Sequence, residues 1–358
     1  MDGVIFQLRW QHLRKIPILC SLLLLCLLFS SQLAKAKTLL LLSSNVSYYQ
    51  ETAQSLQANA SAQGIPNNDF HTLTVQKLSK QSFSTSQYDL IVAIGTAAAT
   101  KAIELENEAP LLNIFIPKNA YEAINPNNAL TNGEDPNNSQ ADTLQANISQ
   151  APRQITTQKP VTTRKISAIY LDQPLKRLIT LACLLKPEAK SLGTIFGPIS
   201  QSAQPEIEKL AKTGGMELKY DFLTKEDNPV STLKPVVTES ELFIAIPDHA
   251  ILNKAIARWI LYLSFQHKIP VIGFSNAYTN AGAIASVYSS PEDIGKQAAE
   301  TIVSWLANKN EAIWNPVYPR YFTLSTNPAV ARSLGISLPS EKELYKQFKE
   351  KEAMADDK

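Results

Sequence analysis

The chain has 358 residues, 44% of them hydrophobic and 18% charged, with 34 Lys and Arg against 32 Asp and Glu. Such a balance excludes an intrinsically disordered chain and gives no electrostatic case for a nucleic-acid or anionic-membrane partner. The length exceeds what one hydrophobic core usually serves, so two lobes are expected.

Residues 1–36 place Arg9, Arg14 and Lys15 before an apolar run from Ile16 to Phe29 and close on Ala34-Lys35-Ala36. That is the order of a secretory signal peptide, cut before Lys37. The run is shorter than the roughly 20 apolar residues that span a bilayer, which favours cleavage over anchoring. Cys26 follows Leu25, where a lipoprotein signal wants a small residue, so no lipid is expected. Removing the leader's four basic and one acidic residues from 34 and 32 leaves 30 against 31. Cys183 is then the one cysteine, which excludes an intrachain disulfide and reads as a buried small hydrophobe. The expected location is periplasmic or secreted.

The first lobe is expected over 37–172. Leu39 to Leu42 is an apolar run suited to a strand buried on both faces, and Tyr48 to Ala62, without Gly or Pro, reads as a helix ended by Gly64 and Pro66. Strands follow at Phe70 to Val75, Leu90 to Ile94 and Leu111 to Ile116, with a helix at Ala97 to Leu105. Alternating strands and helices imply a parallel sheet with right-handed crossovers. Residues 125–163 are rich in Asn, Gln, Thr, Ser and Pro, too poor in large apolar residues to join a core, and read as an exposed, mobile insertion. Ile166 to Tyr170 resumes the sheet.

A second lobe is expected over 173–282. Pro174 opens a helix with Leu175, Leu178, Ile179, Ala182 and Leu185 on one face. Strands are predicted at Leu192 to Phe196, Met216 to Tyr220, Leu242 to Ile246 and Pro270 to Phe274. Helices fall near Gln201 to Lys212, Pro229 to Lys234 and Ile251 to Gln266, the last with a buried stripe of Leu252, Ala255, Ile256, Trp259, Ile260 and Leu263. Residues 283–339 hold a strand at Ala283 to Val287, a helix at Pro291 to Asn308 and a strand at Tyr318 to Leu324, and are expected to return to the first lobe and form the hinge. The charged tail at 340–358 is expected to fray.

The ordered pieces Asp89-Leu-Ile-Val-Ala-Ile-Gly-Thr-Ala-Ala98, Leu184 to Phe196, Ile246-Pro-Asp248, Lys268 to Ser275, and Gly282-Ala-Ile-Ala-Ser286 followed by Gly295 resemble the substrate-binding proteins of ABC transporters, the branch that includes tryptophan and tyrosine binders. The resemblance implies an α/β fold of two Rossmann-like lobes with parallel sheets joined by a hinge, the type I periplasmic-binding-protein fold. It also implies a small-molecule ligand between the lobes, an ABC permease as partner and no cofactor. Two features depart from the family. The long insertion follows Ile116-Pro-Lys-Asn-Ala-Tyr121 where a short Asp-Pro loop is usual. Ser275-Asn-Ala-Tyr278 lacks the acid that usually holds an ammonium group, which leaves Asp248 as the acid at a strand end.

Two strand mouths carry the candidate ligand-binding residues, because ligands in open α/β sheets meet helix N-termini at strand carboxyl ends. Gly95, Thr96 and Ala97 can hold a carboxylate, or Thr96 can simply cap its helix. Ser44 and Asn45 can read polar groups beside an aromatic wall from Tyr48, or cap the helix there. Asp248 can bind an ammonium or cap the next helix. Ser275, Asn276 and Tyr278, and the loop Gly197 to Ser202, can complete the second half of the cleft or merely turn the chain.

An enzyme is not expected. Gly273-Phe-Ser-Asn-Ala277 lacks the final glycine of a nucleophile elbow, no Gly-Lys-Ser/Thr follows Gly193, and His71, His249 and His267 have no metal-ligand spacing. The sequence therefore reads as an exported solute-binding protein for an ABC transporter, taking a small polar organic molecule such as an amino acid. The second reading is a transporter-independent periplasmic sensor or interaction module with a signalling partner.

Overall fold

The computed structural model describes residues 37–78, 86–105, 107–125, 164–307 and 315–356. The leader at 1–36 lies outside them, and so does the insertion beyond Asn125.

The first sheet has the order β2-β1-β3-β4-β5, built from β1 (Thr38–Leu42), β2 (Phe70–Thr74), β3 (Leu90–Ile94), β4 (Leu111–Ile116) and β5 (Ile166–Tyr170). All its pairings are parallel. β1 shows why the strands are unbroken apolar runs. Leu39 and Leu41 enter a core with Ile91, Ala98 and Tyr121, whereas Leu40 and Leu42 enter the opposite one with Leu56 and Ile294. A strand covered on both faces has no polar side to alternate with. The covering helices are α1 (Ser47–Ala62), the short α2 (Val75–Leu78), α3 (Thr96–Ile103) and α4 (Lys118–Ile124).

The second sheet runs β11-β10-β9-β8-β6-β7, with β6 (Ser191–Phe196), β7 (Glu217–Phe222), β8 (Leu242–Ile244), β9 (Val271–Gly273), β10 (Ala285–Tyr288) and β11 (Thr323–Thr326). Only β10 with β11 is antiparallel. Its helices are α5 (Leu175–Leu185), α6 (Gln204–Thr213), α7 (Pro229–Thr238), α8 (Lys254–Gln266) and α9 (Asn276–Ala281).

Residues 283–339 divide differently from the expected return segment. β10 and β11 belong to the second sheet, while the stretch at Val317 and α10 (Pro291–Ala307) lie against the first lobe. Its Ile294, Ala298, Ile302 and Trp305 share a core with Leu56 of α1. The two helices approach so closely that a Cβ on Gly295 would stand 2.6 Å from the Thr52 carbonyl oxygen. Small residues at such crossings let backbones meet.

The tail does not fray as expected. After α11 (Pro328–Leu334), residues Glu341–Asp356 form α12, whose Leu344 and Phe348 are fully buried against the second lobe. Helix α8 also faces differently. Ile260, Leu263 and Ser264 are buried, while Ala255 and Trp259, expected inside, are exposed.

The chain passes between the lobes three times: at 171–174 after β5, at 289–290 after β10, and through 318–322 before β11. The last passage begins beside the first sheet, where the Tyr170 amide donates to the Val317 carbonyl at 2.9 Å.

Candidate functional site

A cavity of about 300 Å³ opens between the lobes at these crossings. The first lobe contributes Phe115, Pro117 and Asn119, the second Pro247, His249, Phe274, Ser275 and Tyr288, and the crossings Leu171, Asp172, Gln173 and Ser289. An adjoining hollow of about 200 Å³ shares Asn119, Asp172, Gln173, Pro247 and Phe274 and adds the charged Lys118, Glu122 and Glu206. The walls combine apolar surface with a few polar groups, the usual chemistry of a small-molecule site.

Phe115 owes its place to a break in β4. The register with β5 shifts between Ile114 and Ile116, and Phe115 has φ 55°, a left-handed conformation that a bulky side chain rarely adopts. The ring stacks on Tyr48, with centroids 5.6 Å apart and planes inclined by 14°, and meets Tyr49 edge-on. Tyr48 is 43% exposed, so this stack still has surface to offer a planar group.

Asp172 ends the run after β5. One carboxylate oxygen accepts from the Lys118 amide at 2.6 Å. Burial raises its pKa, and the Lys118 hydrogen bond offsets this only in part. Lys118 is shifted up as well: burial alone would lower it, but Tyr318 and Glu122 favour its charged form. Its Nζ lies 3.9 Å from Glu122 and 5.5 Å from the centroid of the Tyr318 ring.

A polar network ties the three crossings together. Gln173 Nε2 donates to Ser289 Oγ at 2.8 Å, and Ser289 donates to the Tyr321 carbonyl at 2.6 Å. Arg177 Nη1 donates both to Gln173 Oε1 and to the Pro319 carbonyl, while its Nε holds Glu352 of α12 at 2.6 Å. The terminal helix thus anchors the arginine that orients a cavity-lining amide.

The structure sorts the sequence candidates. Ser275 borders the cavity and caps α9, accepting from the Tyr278 amide at 3.4 Å. Tyr48 adjoins it through Phe115. Asn276 is exposed and does not line either hollow. Tyr278 is buried in the second lobe's core against Phe274, and its hydroxyl has no hydrogen-bond partner among the described residues. Ser44 and Asn45 are exposed, the Asn45 amide oxygen accepting from Gln50 at 2.5 Å.

Gly95, Thr96 and Ala97 do not line the cavity. Gly95 caps α3 with φ 88°, and a Cβ there would stand 2.6 Å from the Tyr49 ring. The side-chain cap expected of Thr96 comes instead from Ser43, whose hydroxyl accepts from the Ala98 amide at 2.9 Å. The Thr96 and Ala97 amides have no acceptor among the described residues, as first-turn donors do not.

Asp248 is fully engaged within its own lobe. One oxygen accepts from the Ile199 and Ser200 amides and the Ser200 hydroxyl at 2.8 to 3.0 Å, and the other from the Ala250 amide. It joins the loops after β6 and β8. Sequence reasoning missed Phe115, Asp172 and Gln173; only Ile116-Pro-Lys118 signalled that the cleft border lay near.

Two parallel lobes, three crossings and a ligand-sized hollow among them define a cleft-type binding protein. A profile of the ABC transporter substrate binding protein family matches residues 146–349, more than half of the chain's 358. The chain belongs to that family, which is one of binding proteins rather than an enzyme class. No curated protein sequence matches it. Among solved structures it is similar to a conserved domain protein from Vibrio cholerae, at 17% identity and TM-score 0.54 over 87% of this chain and 98% of that one. It is similar to an ABC domain in complex with L-Trp from Streptococcus pneumonia, at 16% identity and TM-score 0.53 over 87% and 98%. A ligand-free, open substrate binding protein with adhesive properties from Clostridium difficile aligns at 17% identity and TM-score 0.63 over 85% and 96%. These likenesses establish the type I periplasmic-binding-protein fold.

Proposed function

We propose that this protein is exported after cleavage before Lys37, captures a small polar organic molecule carrying an ammonium group in the interlobe cavity, and delivers it to an ABC permease. The observation that carries the reading is Asp172. It is a desolvated carboxylate bordering both hollows, and its pKa stays raised by burial although the Lys118 amide, its own amide and the Lys118 charge all favour ionisation. A cationic group placed there recovers the solvation that burial removed. The Phe115 and Tyr48 stack and Phe274 would take the ligand's apolar part. The bound L-Trp in the Streptococcus structure supports an amino acid as the class.

Because both lobes wall the cavity, a ligand touching both favours the closed arrangement by its differential contacts, and the permease can read that state. Native mass spectrometry of the purified protein, followed by a thermal-shift screen over amino acids and amines, tests the reading. A ligand at about 100 times its dissociation constant adds about 2.7 kcal/mol to native stability. An amine that binds wild type and loses at least tenfold in affinity with Asp172→Asn supports the site; an unchanged affinity places the ammonium elsewhere. Edman sequencing of secreted protein that begins at Lys37 supports the export step.

A further inference from the structure

The near balance of charge over the whole chain hides a local imbalance on α8. From His249 to Pro291 the chain contains no Asp or Glu, while Lys254, Arg258 and Lys268 are all exposed. None of the three forms an ion pair among the described residues. The same helix carries the two most exposed large hydrophobic side chains of the described protein, Phe265 at 64% and Tyr262 at 52%, with Trp259 at 38% beside them. Arg258, Tyr262 and Phe265 follow one another at spacings of four and three and so form a single line along the helix. Trp259 meets Tyr262 edge-on at 5.8 Å. The adjacent α7 adds the exposed Lys234, and one acid, Glu239, stands just past its end.

We propose that this face of α8 docks the protein on an anionic phospholipid surface. Amphipathic aromatic rings flanked by Lys and Arg suit the headgroup boundary, where the ring body reaches acyl chains while polar tips and cations stay among phosphates. A second copy fits less well, because a two-fold contact would set Lys254 and Arg258 against cations of the same kind. The face lies outside both cavity linings, so docking would leave the ligand site open. This inference does not depend on the identity of the ligand.

Cosedimentation of the ligand-free protein with phosphatidylcholine vesicles, with and without phosphatidylglycerol, tests it at low and high salt. Binding is expected only with phosphatidylglycerol, weakening with salt. Each cation near such a surface contributes roughly fivefold to partitioning, so Arg258→Glu, a two-charge change, is expected to weaken binding about twenty-fivefold. The double variant Tyr262→Ser and Phe265→Ser should abolish binding while its thermal unfolding stays at the wild-type temperature, since both side chains are exposed. Tryptophan placed by Phe265→Trp should be quenched by brominated lipid. Absence of binding at low salt, equal binding to both vesicle types, or binding indifferent to these variants overturns the proposal. So does concentration-dependent self-association that the double variant removes, which would make the face a homodimer contact.

Discussion

Asp172 and Asp248 each stand just beyond a buried strand, one at the first crossing and one in the second lobe, and their surroundings give them different work. Asp248 receives four hydrogen bonds from its own lobe and is 3% exposed. Asp172 receives the Lys118 amide and its own amide and borders the cavity. A carboxylate that takes four bonds from two loops holds those loops together; one whose pKa burial keeps raised at a cavity wall is the proposed partner of a cationic ligand. Hydrogen-bond supply thus distinguishes two acids that position at a strand end does not.

The largest test of the contrast is Asp248→Ala. It leaves the buried Ser200 amide and its neighbours without their acceptor, and a loss of about 3 kcal/mol or more in native stability is expected. Urea unfolding measures it. A stability within about 0.5 kcal/mol of wild type, the usual range for surface substitutions, would remove the distinction.

Asp172→Asn should behave in the opposite way. Asn keeps an acceptor for the Lys118 amide but removes the charge, so affinity for an amine ligand should fall by about 1.5 to 3 kcal/mol in calorimetry. The stability of the ligand-free protein should not fall. The raised pKa means that the native state holds more protons than the unfolded one just above the ordinary carboxylate range. Native stability therefore declines as pH rises through that window, and the uncharged Asn removes the decline. Ligand affinity has the reverse sign and weakens as acidification neutralises Asp172.

Glu352 extends the comparison to a third carboxylate. Burial opposes its ionisation, but the hydrogen bonds from Arg177 and Lys349 outweigh that and lower its pKa. Its contribution is fully present above the unfolded value and lost as pH falls through the depressed folded one. Glu352→Gln should cost about 1 to 2 kcal/mol at neutral pH and flatten the acid limb of the stability profile. Because Arg177 also holds Gln173, a smaller loss of ligand affinity should accompany it.

Much of the fold was legible because burial on both faces writes itself as unbroken apolar runs. Leu90 to Ile94, Leu111 to Ile116 and Ile166 to Tyr170 were read at their observed bounds. Helix α12 was not, because Leu344 and Phe348 alone, four residues apart among charges, carry its buried stripe. The site was legible only in part. Ser275, which lines the cavity, follows from strand-mouth logic, whereas Tyr48 adjoins it only through Phe115, whose left-handed backbone leaves no mark on residue type. Asp172 matters because three distant passages of chain converge beside it, which no local pattern records.

The smallest expected effect separates Ser43 from Thr96 by the same criterion of prior engagement. The Ser43 hydroxyl is committed to the Ala98 amide, so Ser43→Ala should cost about 1 kcal/mol, the usual value of a lost helix cap. Thr96 is exposed at the first position of α3 with no side-chain cap to lose, so Thr96→Val should change stability by less than about 0.5 kcal/mol. Its consequence for ligand binding depends on how far the lobes close. If closure carries the ligand's carboxylate to the open amides of Thr96 and Ala97, the hydroxyl beside them should matter, and Thr96→Val should weaken binding of an amino acid while sparing the corresponding amine. Calorimetry with such a pair of ligands makes the comparison directly. Equal losses for both would place the carboxylate away from α3, and a stability loss as large as that of Ser43→Ala would mean that Thr96 is the engaged residue after all.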